Sequence, residues 1–137
     1  DINPKAIRLA KKNNNLFNCR NINYLKKDIF NYDINDKFDL LISNPPYISL
    51  DSIENLDYEV RGFDPIEALT DYGDGLAFFK YFALKGREIV HKNGFMLFEF
   101  GGQEQLPFIT SIFSKNNYNF SIFKNYNNNP RFILIRV

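Results

Sequence analysis

The feature that most constrains this chain is a stop. The apolar run Phe38-Asp39-Leu40-Leu41-Ile42 is followed, after Ser43, by Asn44-Pro45-Pro46-Tyr47. Each proline fixes φ at about −65° and removes a backbone donor, so a buried strand must end here and its last carbonyls must face something other than a sheet partner. Asn44 adds a side-chain carbonyl beside them. Together the Asn44 amide oxygen and the Pro45 carbonyl suit both hydrogens of a planar NH2 group, with the Tyr47 ring against its flat face. The segment therefore reads as a seat for an amide or an exocyclic amine, and hence as a methyl-transfer site. The competing reading is a plain turn, which Asn and Pro also form readily.

The chemistry explains why such a seat is needed. The lone pair of an amide or aromatic amine is delocalised and barely nucleophilic. Two acceptors gripping the N–H groups favour a pyramidal nitrogen and stabilise the positive charge that builds as a methyl group arrives, an interaction that strengthens in the transition state. Orienting the nitrogen against an electrophilic sulfonium methyl saves roughly 7–11 kcal/mol of barrier. No strong base is required.

Composition bounds the setting. The 137 residues suit one domain with a moderate core, and 45% hydrophobic content with 15 Phe and 8 Tyr excludes a disordered chain. Cys19, the one cysteine, permits no internal disulfide, which suits a reducing, cytoplasmic setting, and is read as a buried thiol. The formal charge of +1 is spread, giving no phosphate-binding footprint, so no direct nucleic-acid partner is expected. No apolar span long enough for a membrane occurs. A monomer is expected.

The periodicity predicts a helix entered at Asn3-Pro4, carried by Ala6, Ile7 and Ala10, and stopped at Asn13-Asn14-Asn15. Short strands are predicted over Ile22 to Leu25 and, buried, over Lys37 to Ser43. Residues 48 to 74 read as one long loop beside the motif. A helix over Leu76 to Val90, with Phe78, Phe79, Phe82 and Ala83 on one face, leads to a strand over Phe95 to Phe100. A helix over Gln105 to Phe113 and strands over Phe120 to Phe123 and Arg131 to Val137 follow. This alternation implies an α/β parallel sheet whose ligands bind beyond the carboxyl ends of the strands. Asp1, Asp28 and Asn44 fall at such ends. An acidic residue there accepts hydrogen bonds from ribose hydroxyls, and a second can hold an adenine amino group; each is equally a solvated strand-end residue.

Several blocks carry a resemblance: Asn44-Pro45-Pro46-Tyr47, Val60-Arg61-Gly62-Phe63-Asp64-Pro65 with Ala68-Leu69, Asp71 to Leu76, and Glu99-Phe100-Gly101-Gly102-Gln103. Together they resemble the N5-glutamine methyltransferases of peptide-chain release factors, the HemK/PrmC family, from end to end of the chain. The resemblance implies a Rossmann-like S-adenosylmethionine-dependent methyltransferase fold. It also implies transfer of a methyl group to the glutamine amide of the release-factor Gly-Gly-Gln motif. By it, Asp1 matches the ribose-binding acid, Asp28-Ile29 borders the adenine, Asn44 faces both cofactor and substrate, and Pro45, Pro46 and Tyr47 complete the glutamine pocket.

The family's glycine-rich loop, first strand and N-terminal helical domain are expected upstream of Asp1. The 137 residues are thus read as a partial catalytic domain, expected to fold poorly and be inactive by themselves. Ile29 stands where an aromatic is common, Asp64 where Glu is usual, and Asn129-Pro130-Arg131 resembles the family's Asn-x-Arg. Gly101-Gly102-Gln103 copies the release-factor signature itself but follows a strand, and is read as incidental. An adenine-N6 methyltransferase acting on DNA or RNA is the alternative, since the same pocket fits an exocyclic amine; such an enzyme must unstack its base. The lone His91 is read as a surface or helix-end residue rather than a base.

Overall fold

The computed structural model describes residues 1–137, which divide into two units, Asp1–Ile34 and Asn35–Val137. Helix α1, Pro4–Leu16, opens the first. The Asn3 side chain caps it by accepting the Lys5 N–H at 2.8 Å, and proline sits in the first turn, where its missing donor costs nothing. The helix runs through the three asparagines expected to stop it. Its end is set instead by Asn18 at φ 52°, where the Asn18 N–H reaches the Asn15 carbonyl and the Cys19 N–H reaches that of Asn14. That pair of bonds is a Schellman closure, which a residue tolerant of positive φ supplies and exposed mid-helix asparagines do not. Cys19, expected to be buried, is partly exposed at this cap.

The strand expected over Ile22–Leu25 does not form. The ladder-like bonds beside the segment are two, Asp1 N–H to the Leu25 carbonyl at 3.3 Å and Lys27 N–H to the Asp1 carbonyl at 3.2 Å. They have the slant of a parallel pair, and one partner residue makes no strand. A 3-10 turn, Ile29–Asn31, follows, capped by Asp28.

In the second unit, strands β1 (Phe38–Ser43), β2 (Val90–Glu99), β3 (Asn119–Lys124) and β4 (Pro130–Arg136) form one sheet in the order β1-β2-β4-β3. Only β1 and β2 are parallel; β4 runs antiparallel to both neighbours. The expectation of a parallel sheet is thus corrected to a mixed one. A helical crossover lets strands run parallel, whereas the short Asn125–Asn129 connection, with Asn128 at φ 64°, returns the chain as a hairpin. β2 begins at Val90, earlier than predicted, because a register shift between Phe38 and Leu40 on β1 absorbs the turn around Asn93, whose φ is 70°. β1, expected to be buried, contains no buried residue, and Phe38, Leu40 and Ile42 are exposed. Phe38, Leu40 and Ile42 alternate onto one face of β1, and nothing within these 137 residues buries that face.

The residues between Ile48 and Asp74 are not one long loop. They hold a 3-10 turn, Leu50–Asn55, and helices α2 (Tyr58–Phe63) and α3 (Ile66–Leu69). Helix α4 (Ala77–Ile89) packs on β2, helix α5 (Leu106–Lys115) packs on β3, and the two helices pack on each other. Phe98 is the hub of this core: Phe82 and Phe113 stack on it at 5.0 and 6.1 Å and Phe79 meets it edge-on at 6.0 Å. Met96, Ile109, Ile133 and Ile135 fill around it, each fully buried.

Candidate active site

The motif leaves β1 at Ser43. Asn44 is exposed, Pro45 is buried, and Pro46 and Tyr47 are partly covered. The first backbone bonds after the prolines run from Ile48 N–H to the Leu69 carbonyl and from Leu50 N–H to that of Gly73, both at 2.9 Å. These tie the motif's exit to the block that begins at Ala68-Leu69. None of the backbone bonds around the motif uses the Pro45 carbonyl. An acceptor with no partner in the chain is what a seat for an N–H group needs.

Tyr47 is clamped twice. Its hydroxyl donates to Glu99 Oε1 at 3.3 Å and accepts from Arg131 Nη2 at 2.8 Å. The guanidinium also lies 5.2 Å from the ring centroid, and Arg131 Nε is 3.5 Å from Glu99 Oε1. Both hydroxyl valences are therefore committed inside the chain, so Tyr47 offers its surroundings a ring face rather than a polar tip. Burial pushes its phenol above the ordinary 10.0, the Arg131 cation pulls it down, and the Glu99 carboxylate pushes it up again. The net direction is upward. Tyr47 is a neutral phenol at physiological pH and no base.

The backbone of Tyr47 is held by Gln105, whose Nε2 donates to the Tyr47 carbonyl at 3.0 Å and to the Gly75 carbonyl at 3.1 Å, while its Oε1 accepts the Gly101 N–H at 2.8 Å. Gly75 has φ 76°, and a Cβ on it would stand 2.2 Å from the Tyr47 carbonyl oxygen, so no other residue fits. The Asp71 carboxylate shapes this approach by accepting the N–H groups of Gly73, Gly75 and Ala77 at 2.8 to 3.0 Å. A cleft of about 400 Å³ opens beside Tyr47, walled by Ile48, Leu76 and Phe108 and edged by Ser49, Ser52 and Glu104.

Of the other expected site residues, Asp1, Asp28 and Ile29 lie in the first unit. Asp1 spends one carboxylate oxygen on the Asn3 N–H at 2.7 Å. Asp28 uses both, on the Phe30 N–H at 3.0 Å and the Asn31 side chain at 2.6 Å, and so is first of all a cap. The backbone bonds of Asp1 to Leu25 and Lys27 bring it alongside the Asp28 segment. Sequence reasoning quoted Glu99 and Arg131 but gave them no role, and passed over Gln105. The available signal was a carboxylate closing the apolar strand that neighbours β1.

Fold and motif together define a class: a Rossmann-like α/β methyltransferase fold with Asn-Pro-Pro-Tyr at the end of a parallel strand. A methyltransferase of Pyrococcus furiosus shares the fold, with a TM-score of 0.69 at 14% identity over 99% of this chain and 59% of that one. The family model described as Eco57I restriction-modification methylase matches residues 1–100, and the chain belongs to that family. Among curated relatives, a protein of Fusobacterium nucleatum is 41% identical over 99% of this chain and 39% of its own length, and one of Francisella tularensis is 33% identical over 96% and 46%. A third, from Agrobacterium fabrum, is 32% identical over 99% and 47%. All three bear the name release factor glutamine methyltransferase, in line with the resemblance carried by the motif blocks. The chain spans about two fifths to a half of the length of these relatives. No helix is long and apolar enough to cross a membrane.

Proposed function

We propose that the complete protein transfers a methyl group from S-adenosylmethionine to the side-chain amide nitrogen of the glutamine in the Gly-Gly-Gln motif of peptide-chain release factors, acting as a monomer in the cytoplasm. The observation that carries this is the exposed Asn44 amide next to an unpartnered Pro45 carbonyl and a Tyr47 ring locked from behind. In this reading Asn44 and Pro45 each accept one N–H of the glutamine amide, and Pro46 and the Tyr47 ring flank its plane. Charge that builds on the nitrogen is met by two oriented acceptors that need not reorganise. Residues on either side of the glutamine run along the cleft by Ile48 and Phe108.

When bound, S-adenosylmethionine supplies the electrophilic methyl. The second carboxylate oxygen of Asp1 suits a ribose hydroxyl, Ile29 gives an apolar edge for the adenine, and Asp28 retains lone pairs for its amino group. Asn44 serves the substrate amide.

The family's description favours a second reading, adenine-N6 methyl transfer on nucleic acid, because the same two acceptors fit an exocyclic amine. One experiment separates the two. The complete parent protein is incubated with S-adenosylmethionine and either a release factor or duplex DNA, and the products are weighed by mass spectrometry. A one-methyl gain on the Gly-Gly-Gln glutamine is expected, with Asn44→Ala lowering the rate about a hundred- to a thousandfold while cofactor binding is kept. Methyl transfer to DNA alone would reverse the assignment, and equal loss of transfer and cofactor binding would remove Asn44 from its role.

A further inference from the structure

The segment leaving the motif carries an unbalanced charge. Between Asp51 and Glu67 stand six carboxylates, Asp51, Glu54, Asp57, Glu59, Asp64 and Glu67, against one cation, Arg61, in a chain whose total is +1. All seven side chains belong to exposed residues. The ion pairs of the molecule lie elsewhere, at Lys80–Asp74, Lys85–Glu88 and Arg131–Glu99, and Arg61 donates to the backbone carbonyl of Glu54 at 3.2 Å. The acidic field is therefore not cancelled within the chain.

Two aromatic rings stand in that field. Tyr58 and Phe63, at the two ends of α2, are 71% and 77% exposed and meet edge to face at 6.3 Å. α2 and α3 bury no residue, so these rings contribute little to any core. The lobe is nonetheless fixed, through the buried Ile53 and the bonds of Ile48 to Leu69 and Leu50 to Gly73 at its two ends. A held surface with solvent-facing aromatic anchors and unpaired carboxylates has the make-up of a docking face for a basic protein. A phosphate backbone would be repelled by the same charges.

We propose that the Asp51–Glu67 lobe docks a Lys- and Arg-rich protein surface of the methyl acceptor, close to the target glutamine. The assignment rests on the glutamine reading above. It makes the lobe a specificity element that admits protein and disfavours nucleic acid at a pocket whose chemistry would accept either.

The test uses the complete parent protein with Asp57→Asn, Glu59→Gln, Asp64→Asn and Glu67→Gln combined. These changes spare the fold, since the carboxylates are exposed and Asp57 makes no side-chain cap bond; thermal unfolding checks this. Binding of release factor is measured by calorimetry over a salt series, and methyl transfer is followed on intact factor and on a short neutral Gly-Gly-Gln peptide. Neutralisation is expected to weaken binding of the intact factor about tenfold at low salt and to flatten the salt dependence, leaving kcat and peptide methylation unchanged. Tyr58→Ala with Phe63→Ala should weaken binding at every salt concentration. Unchanged binding in both variants overturns the docking role and leaves the glutamine reading standing. Failure of the unaltered protein to methylate the glutamine overturns that reading, and the docking role with it.

Discussion

The two units of this chain are built from similar local signals and held by different forces. α1 in the first has a sequence-encoded cap, a proline in its first turn and a Schellman end, yet buries none of its residues. α4 in the second has an apolar N-cap residue, Leu76, that makes no cap bond of its own, yet buries Phe79, Phe82, Ala83, Gly86 and Ile89. Capping decides where a helix starts and stops; burial decides how much its loss costs. The Tyr47 clamp stands on the unit with the core.

That contrast can be broken directly. In the complete parent protein, Phe98→Ala removes the ring on which Phe79, Phe82 and Phe113 converge, and denaturant unfolding should show a loss of about 3–5 kcal/mol. Leu9→Ala, at a position 59% exposed on α1, should change stability by no more than about 0.5 kcal/mol. Comparable losses at the two positions would mean that α1 is covered, in the complete protein, by residues outside these 137.

A smaller effect sharpens the contrast within the site. Arg131→Gln takes away the donor to Tyr47 Oη and the partner of Glu99, and is expected to lower kcat about tenfold with cofactor affinity unchanged. Arg131→Lys should restore part of it, keeping the charge without the planar fork. Tyr47→Phe removes the other end of the same bonds, so the double variant should be no slower than the worse single one. Multiplicative losses would mean that Arg131 acts on something other than Tyr47.

What was legible in the sequence follows the same division. β1, α4, β3 and β4 were readable because their apolar periodicity is local, and Asn44 to Tyr47 because two prolines cannot continue a strand. Strand direction was not, since it depends on which connections are hairpins. The exposure of Phe38, Leu40 and Ile42 was hidden as well, because an apolar alternation says which side chains share a face and not whether anything covers it. Glu99 and Arg131 lie 52 and 84 residues from Tyr47, and no spacing rule joins groups so far apart. Helices α2 and α3 were missed because, at 6 and 4 residues, each is too short to show a helical period.

The least costly device in the second unit is the turn that starts α4. Asp74 Oδ1 accepts the Leu76 N–H at 3.0 Å, and Oδ2 pairs with Lys80 Nζ at 2.6 Å. The Lys80 hydrogen bond, partly offset by burial, holds the Asp74 carboxyl below its ordinary 3.8. A depressed carboxyl contributes stability that is present above the unfolded-state value and is lost as pH falls through the folded one. Lys80 and Asp74 side chains are 52% and 56% exposed, so solvent screens the pair and Asp74→Asn should lower the melting temperature only slightly at neutral pH. Below pH 3.8 the parent loses the same contribution, and the two melting curves should converge. A large neutral-pH loss, or a gap that persists in acid, would show that this start of α4 rests on Asp74 and not on the Phe98 core beneath it.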